Sequence, residues 1–249
     1  DAIDGVGRED LLYGYTDDNV ATPAAETRYM RDFLFRAQDL RLEVFVTDYC
    51  STPDHVDDSY DTNGADGFLS FAADSRELDS IPNRPAAPYN AHDGAVITLD
   101  SARNFLYLIN PEGFVSSGDL VNTLDATNYD VFIIDLFDND GVQLTSQQIT
   151  ALQTKPGGAA RLVIAYMSIG EAEDYRFYWT ESYDRHPPSW IEQENLDWLG
   201  NYKVRYWDPA WKAILFGSDD AYLDRILAAG FDGVYLDIID GFEYFEEEY

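Results

Sequence analysis

The chain has 249 residues, with 47 Asp and Glu against 16 Lys and Arg, and a formal charge of −31. Duplex phosphate is held by clustered cations that this composition lacks, so no nucleic-acid partner is expected, and without an apolar run of 18 or more residues no membrane partner is expected either. Hydrophobic residues at 45% and aromatics at 15% separate it from disordered acidic chains, and its length suits a single domain near the ~250 residues of a (β/α)8 barrel.

A strand is predicted over 3–12, then a helix over 23–38 with Thr22 as N-cap and Pro23 as first helical residue. The apolar run over 42–49 reads as a strand that ends at Cys50; this single cysteine excludes an intramolecular disulfide and reads as a packed small residue rather than a nucleophile. A weaker strand over 67–72 precedes 81–102, where Pro82, Pro85, Pro88 and the polar Tyr89-Asn-Ala-His-Asp93 mark a long connection and the one candidate linker. Strands follow over 104–109, 130–136, 161–169, 203–207 and 233–238. Helices lie over 146–153, capped by Ser146, and over 219–229, closed by Gly230.

Eight strands alternating with helices, several of them continuously apolar, predict an α/β fold with a parallel sheet covered on both faces. In this length they favour a TIM-type (β/α)8 barrel in one domain over 1–249. An open doubly wound sheet would be supported by a G-x-G-x-x-G loop, and none occurs. Residues 1–14 lack a basic segment followed by an apolar one, so the chain reads as mature or cytoplasmic.

In parallel barrels chemistry gathers at the C-terminal ends of the strands, and here almost every strand delivers a carboxylate there. Glu9 and Asp10 end the first, Asp48 the second, and Asp135 follows Val131-Phe-Ile-Ile134. Glu171, Glu173 and Asp174 follow the strand over 161–169, Asp208 follows Trp207, and Asp237 and Asp240 close the last. Asp237 stands out because it sits between apolar neighbours in Tyr235-Leu-Asp-Ile-Ile239, where an unpaired charge is costly to bury. Paired carboxylates among aromatics are what glycosidic cleavage requires, one to protonate the leaving oxygen and one to attack the anomeric carbon or activate water. Tyr13, Tyr107, Tyr166, Trp179, Trp207 and Tyr244 are candidate stacking platforms or packing residues.

Rival uses of the acids are weaker. His55, His92 and His186 lack i, i+4 spacing, so a zinc centre is not expected, and Asp138-Asn-Asp140-Gly141 lacks the closing Glu of a calcium loop and reads as a turn. No metal or other cofactor is expected. The large negative charge reads either as a surface adapted to high salt or as a field that concentrates a cationic substrate such as an amino sugar polymer.

Three strings, Ala165-Tyr-Met-Ser-Ile-Gly-Glu-Ala-Glu-Asp-Tyr-Arg-Phe-Tyr-Trp179, Gly200-Asn-Tyr-Lys-Val-Arg-Tyr-Trp-Asp208 and Gly230-Phe-Asp-Gly-Val-Tyr-Leu-Asp-Ile-Ile-Asp-Gly241, resemble glycoside hydrolase family 114. This is the endo-α-1,4-polygalactosaminidase family with its prokaryotic branch. Ile3-Asp-Gly-Val-Gly-Arg-Glu-Asp-Leu-Leu-Tyr-Gly14 and Val46-Thr-Asp-Tyr-Cys50 resemble further motifs of that branch. The resemblance implies an extracellular or periplasmic barrel hydrolysing α-linked amino sugar polysaccharide or oligosaccharide with retention, with an aspartate after the fifth strand and a glutamate on a later one. Carried over by motif, Asp237 is the nucleophile and Glu9 the general acid/base. Asp135, Tyr166, Glu171, Glu173, Trp207, Asp208, Asp240 and Asp48 form the substrate contacts. Against the family's order the 3–12 and 42–49 segments come first, so the chain reads as circularly permuted, with 81–102 joining the old ends and about one βα unit missing. A catalytically silent carbohydrate-binding barrel is the second reading and a metal-binding acidic surface the third.

Overall fold

The computed structural model describes residues 3–248, with side chains through Glu246. Seven parallel strands form its frame. β1 (Gly5–Glu9), β2 (Glu43–Tyr49) and β3 (Leu69–Ala73) pair in that order, and α1 (Ala24–Asp39) and α2 (Pro53–Ala65) supply the crossovers. β4 (Phe105–Leu108), α3 (Ser117–Asp125), β5 (Val131–Ile134), α4 (Ser146–Leu152) and β6 (Leu162–Ser168) continue the pattern. The chain then makes an antiparallel excursion of β7 (Glu171–Glu173), β8 (Ile191–Glu194) and β9 (Asn201–Val204), with β9 in the middle. α5 (Pro209–Leu215) and α6 (Tyr222–Ala229) lead to β10 (Gly233–Asp237), which pairs in parallel with β6, and α7 (Phe242–Glu248) ends the described chain.

The two parallel sheets face each other through their inner side chains. Phe105 of β4 meets Phe45 of β2 and Phe71 of β3, with ring centroids 5.0 and 5.7 Å apart. One layer nearer the C-terminal ends, Tyr107 of β4 and Tyr235 of β10 lie 5.4 Å apart. Ile109 N donates to Leu78 O at 3.0 Å, tying the segment after β3 to the end of β4. At the other margin, Tyr235 enters where β1 has no side chain: a Cβ on Gly7 would overlap its hydroxyl. Among the described residues no ladder joins β3 to β4 or β1 to β10, so the arc is barrel-like without ladder closure.

Several expectations are corrected. The strand expected over 203–207 is β9, an antiparallel member outside the parallel arc; its residues Asn201, Tyr202 and Lys203 are half-buried and only Val204 enters the core. Counted from β4, Asp237 therefore ends the fourth parallel strand rather than the fifth. Helix α1 begins at Ala24, with Pro23 in the cap position, while the Thr22 hydroxyl donates to Asp10 O. Thr145 rather than Ser146 caps α4, in a reciprocal box with Gln148. Gly230 does close α6, at φ 90°, where other residues would be strained. Residues 81–102 are irregular apart from a short turn at Leu99–Ser101, and Val96 N donates to Ala160 O at 2.8 Å.

Outside the arc, α1 buries Met30, Leu34 and Ala37 against Val44 and Val46 of β2, and α2 packs Val56 and Tyr60 beside Cys50 and Ala72. Inner faces and helix-covered outer faces thus alternate along each strand, which fixes which strand-end residues reach the open end of the arc.

Candidate active site

A cavity of about 920 Å³ opens at the C-terminal ends of the parallel strands. Glu9 from β1, Tyr49 from β2, Tyr107 from β4, Asp135 after β5, Tyr166 from β6 and Asp237 from β10 all line it. The excursion contributes Glu171, Glu173 and Arg176, and the segment after β10 contributes Asp240.

Glu9 and Asp237 are built alike. Each is the last residue of its strand, on the inner face two positions after Gly7 or Tyr235. Each is followed by a non-glycine residue in the left-handed region, Asp10 at φ 61° and Ile238 at φ 55°. For a β-branched residue such as Ile238 this is a strained conformation, costing on the order of 1–3 kcal/mol, and it turns the chain sharply away once the carboxylate has been delivered. Gly170 makes room for the turn, because a Cβ there would overlap Ile238 O. Each carboxylate also accepts one tyrosine hydroxyl: Tyr49 Oη donates to Glu9 Oε2 at 2.8 Å, and Tyr166 Oη donates to Asp237 Oδ2 at 2.9 Å.

Burial raises both acids. Glu9 is pushed up to about 7, by loss of hydration first and then by the negative charge of Asp237, against the pull of Tyr49. Burial also raises Asp237, opposed by the hydrogen bond from Tyr166. The charge of Asp237 therefore reaches Glu9 across the cavity, and Glu9 holds a proton into the neutral range.

The acids of the opposite wall are held by two cations, Arg176 and Lys203. Arg176 donates to Asp135 Oδ1 at 2.7 Å and pairs with Oδ2 at 2.6 Å, while its Nε and Nη2 hold Glu173 at 2.6 and 3.0 Å. Tyr175 adds a hydroxyl to Glu173 at 2.7 Å. Glu171 accepts from Lys203 at 2.6 Å and Asn195 at 2.9 Å through Oε1, while its buried Oε2 has no hydrogen-bond partner. This wall can present acceptors to a polar ligand while staying fixed.

Three sequence-predicted contacts lie elsewhere. Asp48 is fully buried on the outer face of β2, where it accepts from Leu12 N, Tyr13 N, Ser59 and Asn63 and anchors α2 and the chain after β1. Asp208 caps α5 by accepting from Ala210 N at 2.8 Å. Trp207 packs edge-on against Phe245, 4.6 Å between centroids, and does not line the cavity. Of the candidate platforms, Tyr107 and Tyr166 reach the cavity, whereas Tyr13 stacks on His55, Trp179 lies tilted against Tyr202 and Tyr244 packs edge-on against Phe245. Asp138 accepts from Asp140 N and Val142 N, the turn expected there. Among the described residues no cluster of three or more His, Cys, Asp or Glu side chains is arranged to hold a metal ion, and no helix is long and apolar enough to cross a membrane.

Sequence reasoning missed Tyr49, Arg76 and Arg176. Tyr49 is legible in retrospect, since it lies on the inner face of β2 with Phe45 and Thr47, and Arg176 stands three residues after Glu173. Arg76, in an irregular segment, left no pattern to read.

Proteins from several lineages share parts of the chain. An uncharacterized protein of Methanocaldococcus jannaschii is 42% identical over 130 residues, 51% of this chain and 35% of that protein. One from Deinococcus radiodurans is 40% identical over 123 residues, 49% of this chain and 37% of its own length. One from Thermotoga maritima is 52% identical over 85 residues, 34% of this chain and 25% of that protein. The matched stretches thus amount to between a quarter and somewhat over a third of these relatives' own length. Residues 91–248 match the model of glycoside-hydrolase family GH114, and this stretch carries Asp237 with its partner Tyr166 and the whole Arg176 wall. The chain belongs to glycoside-hydrolase family GH114.

Proposed function

We propose that the protein cleaves an α-linked amino sugar polysaccharide or oligosaccharide with retention, using Asp237 as nucleophile and Glu9 as general acid/base. The observation that carries this reading is the pairing of two carboxylates on one cavity, both raised by burial, with Glu9 titrating near 7. In the first step ionised Asp237 bonds to the anomeric carbon as its bond to the leaving oxygen breaks, and protonated Glu9 gives that oxygen its proton. In the second, water attacks the same carbon, Glu9 takes the water's proton, and Asp237 leaves as a carboxylate. Glu171, Glu173, Asp135, Tyr166 and Asp240 form the floor, a set of acceptors suited to the hydroxyl and ammonium groups of an amino sugar. A charge of −31 would recruit a polycation, so added salt should weaken capture. We place the reaction outside the cytoplasm, as the family resemblance implies.

The test is reducing-end release from an α-1,4-linked galactosamine polymer. Asp237→Asn and Glu9→Gln should each abolish release while keeping the native circular dichroism spectrum, and full activity in either variant overturns the assignment. One observation favours a second reading, a carbohydrate-binding barrel without turnover: the acids stand on β1 and β10, which share no ladder. Binding of α-linked glycans without bond cleavage would select it.

A further inference from the structure

The segment after β3 sends one side chain back to the end of β1. Arg76 Nη2 donates to Asp10 Oδ1 at 3.0 Å and to Gly14 O at 2.7 Å, and its Nε donates to Asp18 at 2.9 Å. Its guanidinium also lies over the ring of Tyr49, with Cζ 4.0 Å from the centroid. Tyr49 in turn holds Glu9 Oε2. Gly14, at φ 117°, completes the cage, since a Cβ there would overlap Asp10 Oδ1 and crowd both Arg76 and Tyr49. One cation thus bridges the residue after Glu9, the loop beyond it and the aromatic ring that bonds Glu9.

We infer that Arg76 and Tyr49 are positioning residues for Glu9: Arg76 clamps the Tyr49 ring and the Asp10 turn, and the Tyr49 hydroxyl commits one carboxyl oxygen so that the other serves the substrate. The inference rests on Glu9 being the acid/base of the proposed reaction. Only the hydroxyl touches Glu9; Arg76 works through Tyr49 and Asp10. The titratable groups around Glu9 are Tyr49 from β2, Tyr107 from β4, Tyr235 and Asp237 from β10, and Asp10 and Arg76; of these, Tyr49, Asp237, Asp10 and Arg76 act on its ionisation, while Glu9 in turn raises Tyr107 and Tyr235. Tyr49 and Arg76 favour its ionised form, while Asp237 and Asp10 oppose it. Removing either member of the pair should therefore let Glu9 keep its proton to higher pH.

The experiment titrates protein carrying ¹³C-carboxyl-labelled glutamate by NMR, with Glu9→Gln identifying the Glu9 signal. Tyr49→Phe, which keeps the ring under Arg76, and Arg76→Met should each move the Glu9 midpoint upward from about 7 by about half a unit or more. Arg76→Lys, which keeps the charge, should fall between Arg76→Met and the parent. In the active enzyme, the alkaline limb of kcat/KM on an α-1,4-linked galactosamine oligosaccharide should move in the same direction, with kcat reduced. Unchanged midpoints in both variants overturn the inference, as does a moved midpoint with an unmoved limb. Shifted midpoints in a protein that hydrolyses nothing would sink the hydrolase reading while leaving the Arg76–Tyr49 pair in place.

Discussion

At the N-terminal end of β5, fully buried Asp130 is paired with Lys155 Nζ at 2.5 Å and His92 Nε2 at 2.9 Å, and it accepts from Arg103 N at 2.7 Å. At the opposite ends of β1 and β10, Glu9 and Asp237 are half-buried on an open cavity, and each has a single side-chain donor, a tyrosine hydroxyl. Asp130 is saturated by two basic side chains and acts as a strut, with Lys155 also donating to His92 O and Gly94 O so that residues 81–102 are fastened to the strands. The pair at the cavity keeps lone pairs and raised protonation energies in reserve. The number and charge of the donors, together with access to the cavity, separate the structural carboxylate from the pair proposed to react.

Substitutions at the two ends should therefore fail in opposite ways. The largest effect belongs to the cavity: Glu9→Gln and Asp237→Asn should each lower turnover by about 10²–10⁴-fold or more, with a thermal midpoint no lower than the parent's. Next comes Lys155→Met, which strands a buried carboxylate and should cost about 3–5 kcal/mol of unfolding free energy in a denaturant titration. The folded fraction should retain the parent's kcat/KM. A Lys155→Met protein that is stable but inactive would show that the strut also serves the chemistry.

The raised Glu9 gives a smaller effect with a definite sign. Its folded value of about 7 exceeds the 4.5 of the free side chain, so the folded state binds this proton more tightly than the unfolded chain does. Stability from this group is fully present below pH ~4.5 and is lost as pH rises toward 7. Glu9→Gln removes that loss. The variant should match the parent near pH 4 and exceed it by about 1–3 kcal/mol at pH 8, measured by urea unfolding at both values. A constant difference across the range would show that Glu9 is solvated and ordinary.

The comparison also explains what the sequence made legible. Apolar runs such as Val131-Phe-Ile-Ile134 announce buried parallel strands because both faces are covered, and the carboxylates that follow them are exposed to view by that contrast. The polar α2, with Asp54, Asp57, Asp58 and Asp61 facing outward, has too weak an apolar stripe to read as a helix. β9 misled for the reverse reason: Val204, Tyr206 and Trp207 look strand-like, but the chain leaves the ladder after Val204 to cap α5. Which strand-end acid turns inward depends on side-chain parity, and parity separates Glu9 from Asp48 although both end strands. Asp48 stands one residue before Tyr49, the inner-face residue at the end of β2, so it points to α2. Arg76 reaches Asp10 across the fold from an irregular segment, where no period exists to reveal it, and Arg176 shows only its i, i+3 spacing from Glu173 and not its reach to Asp135.

The smallest expected effect sharpens the boundary of the cavity. Asp208 follows Trp207 in a string shared with the family, yet its carboxylate accepts from Ala210 N and Pro209 occupies the first turn of α5. Loss of such a cap costs about 1 kcal/mol, and α5 carries Trp211, whose indole N–H donates to Ile169 O at 3.0 Å beside the site. Asp208→Ala should therefore lower stability by that amount in a thermal melt, while Asp208→Asn or Asp208→Ser, which restore the cap without its charge, should recover most of it. Because the cap fixes α5 rather than the sugar, KM on the galactosamine polymer should stay within about twofold of the parent in all three variants. A tenfold rise in KM in Asp208→Ser, with the melt restored, would instead draw Asp208 into the substrate path and extend the proposed binding surface beyond the cavity that Asp240 lines.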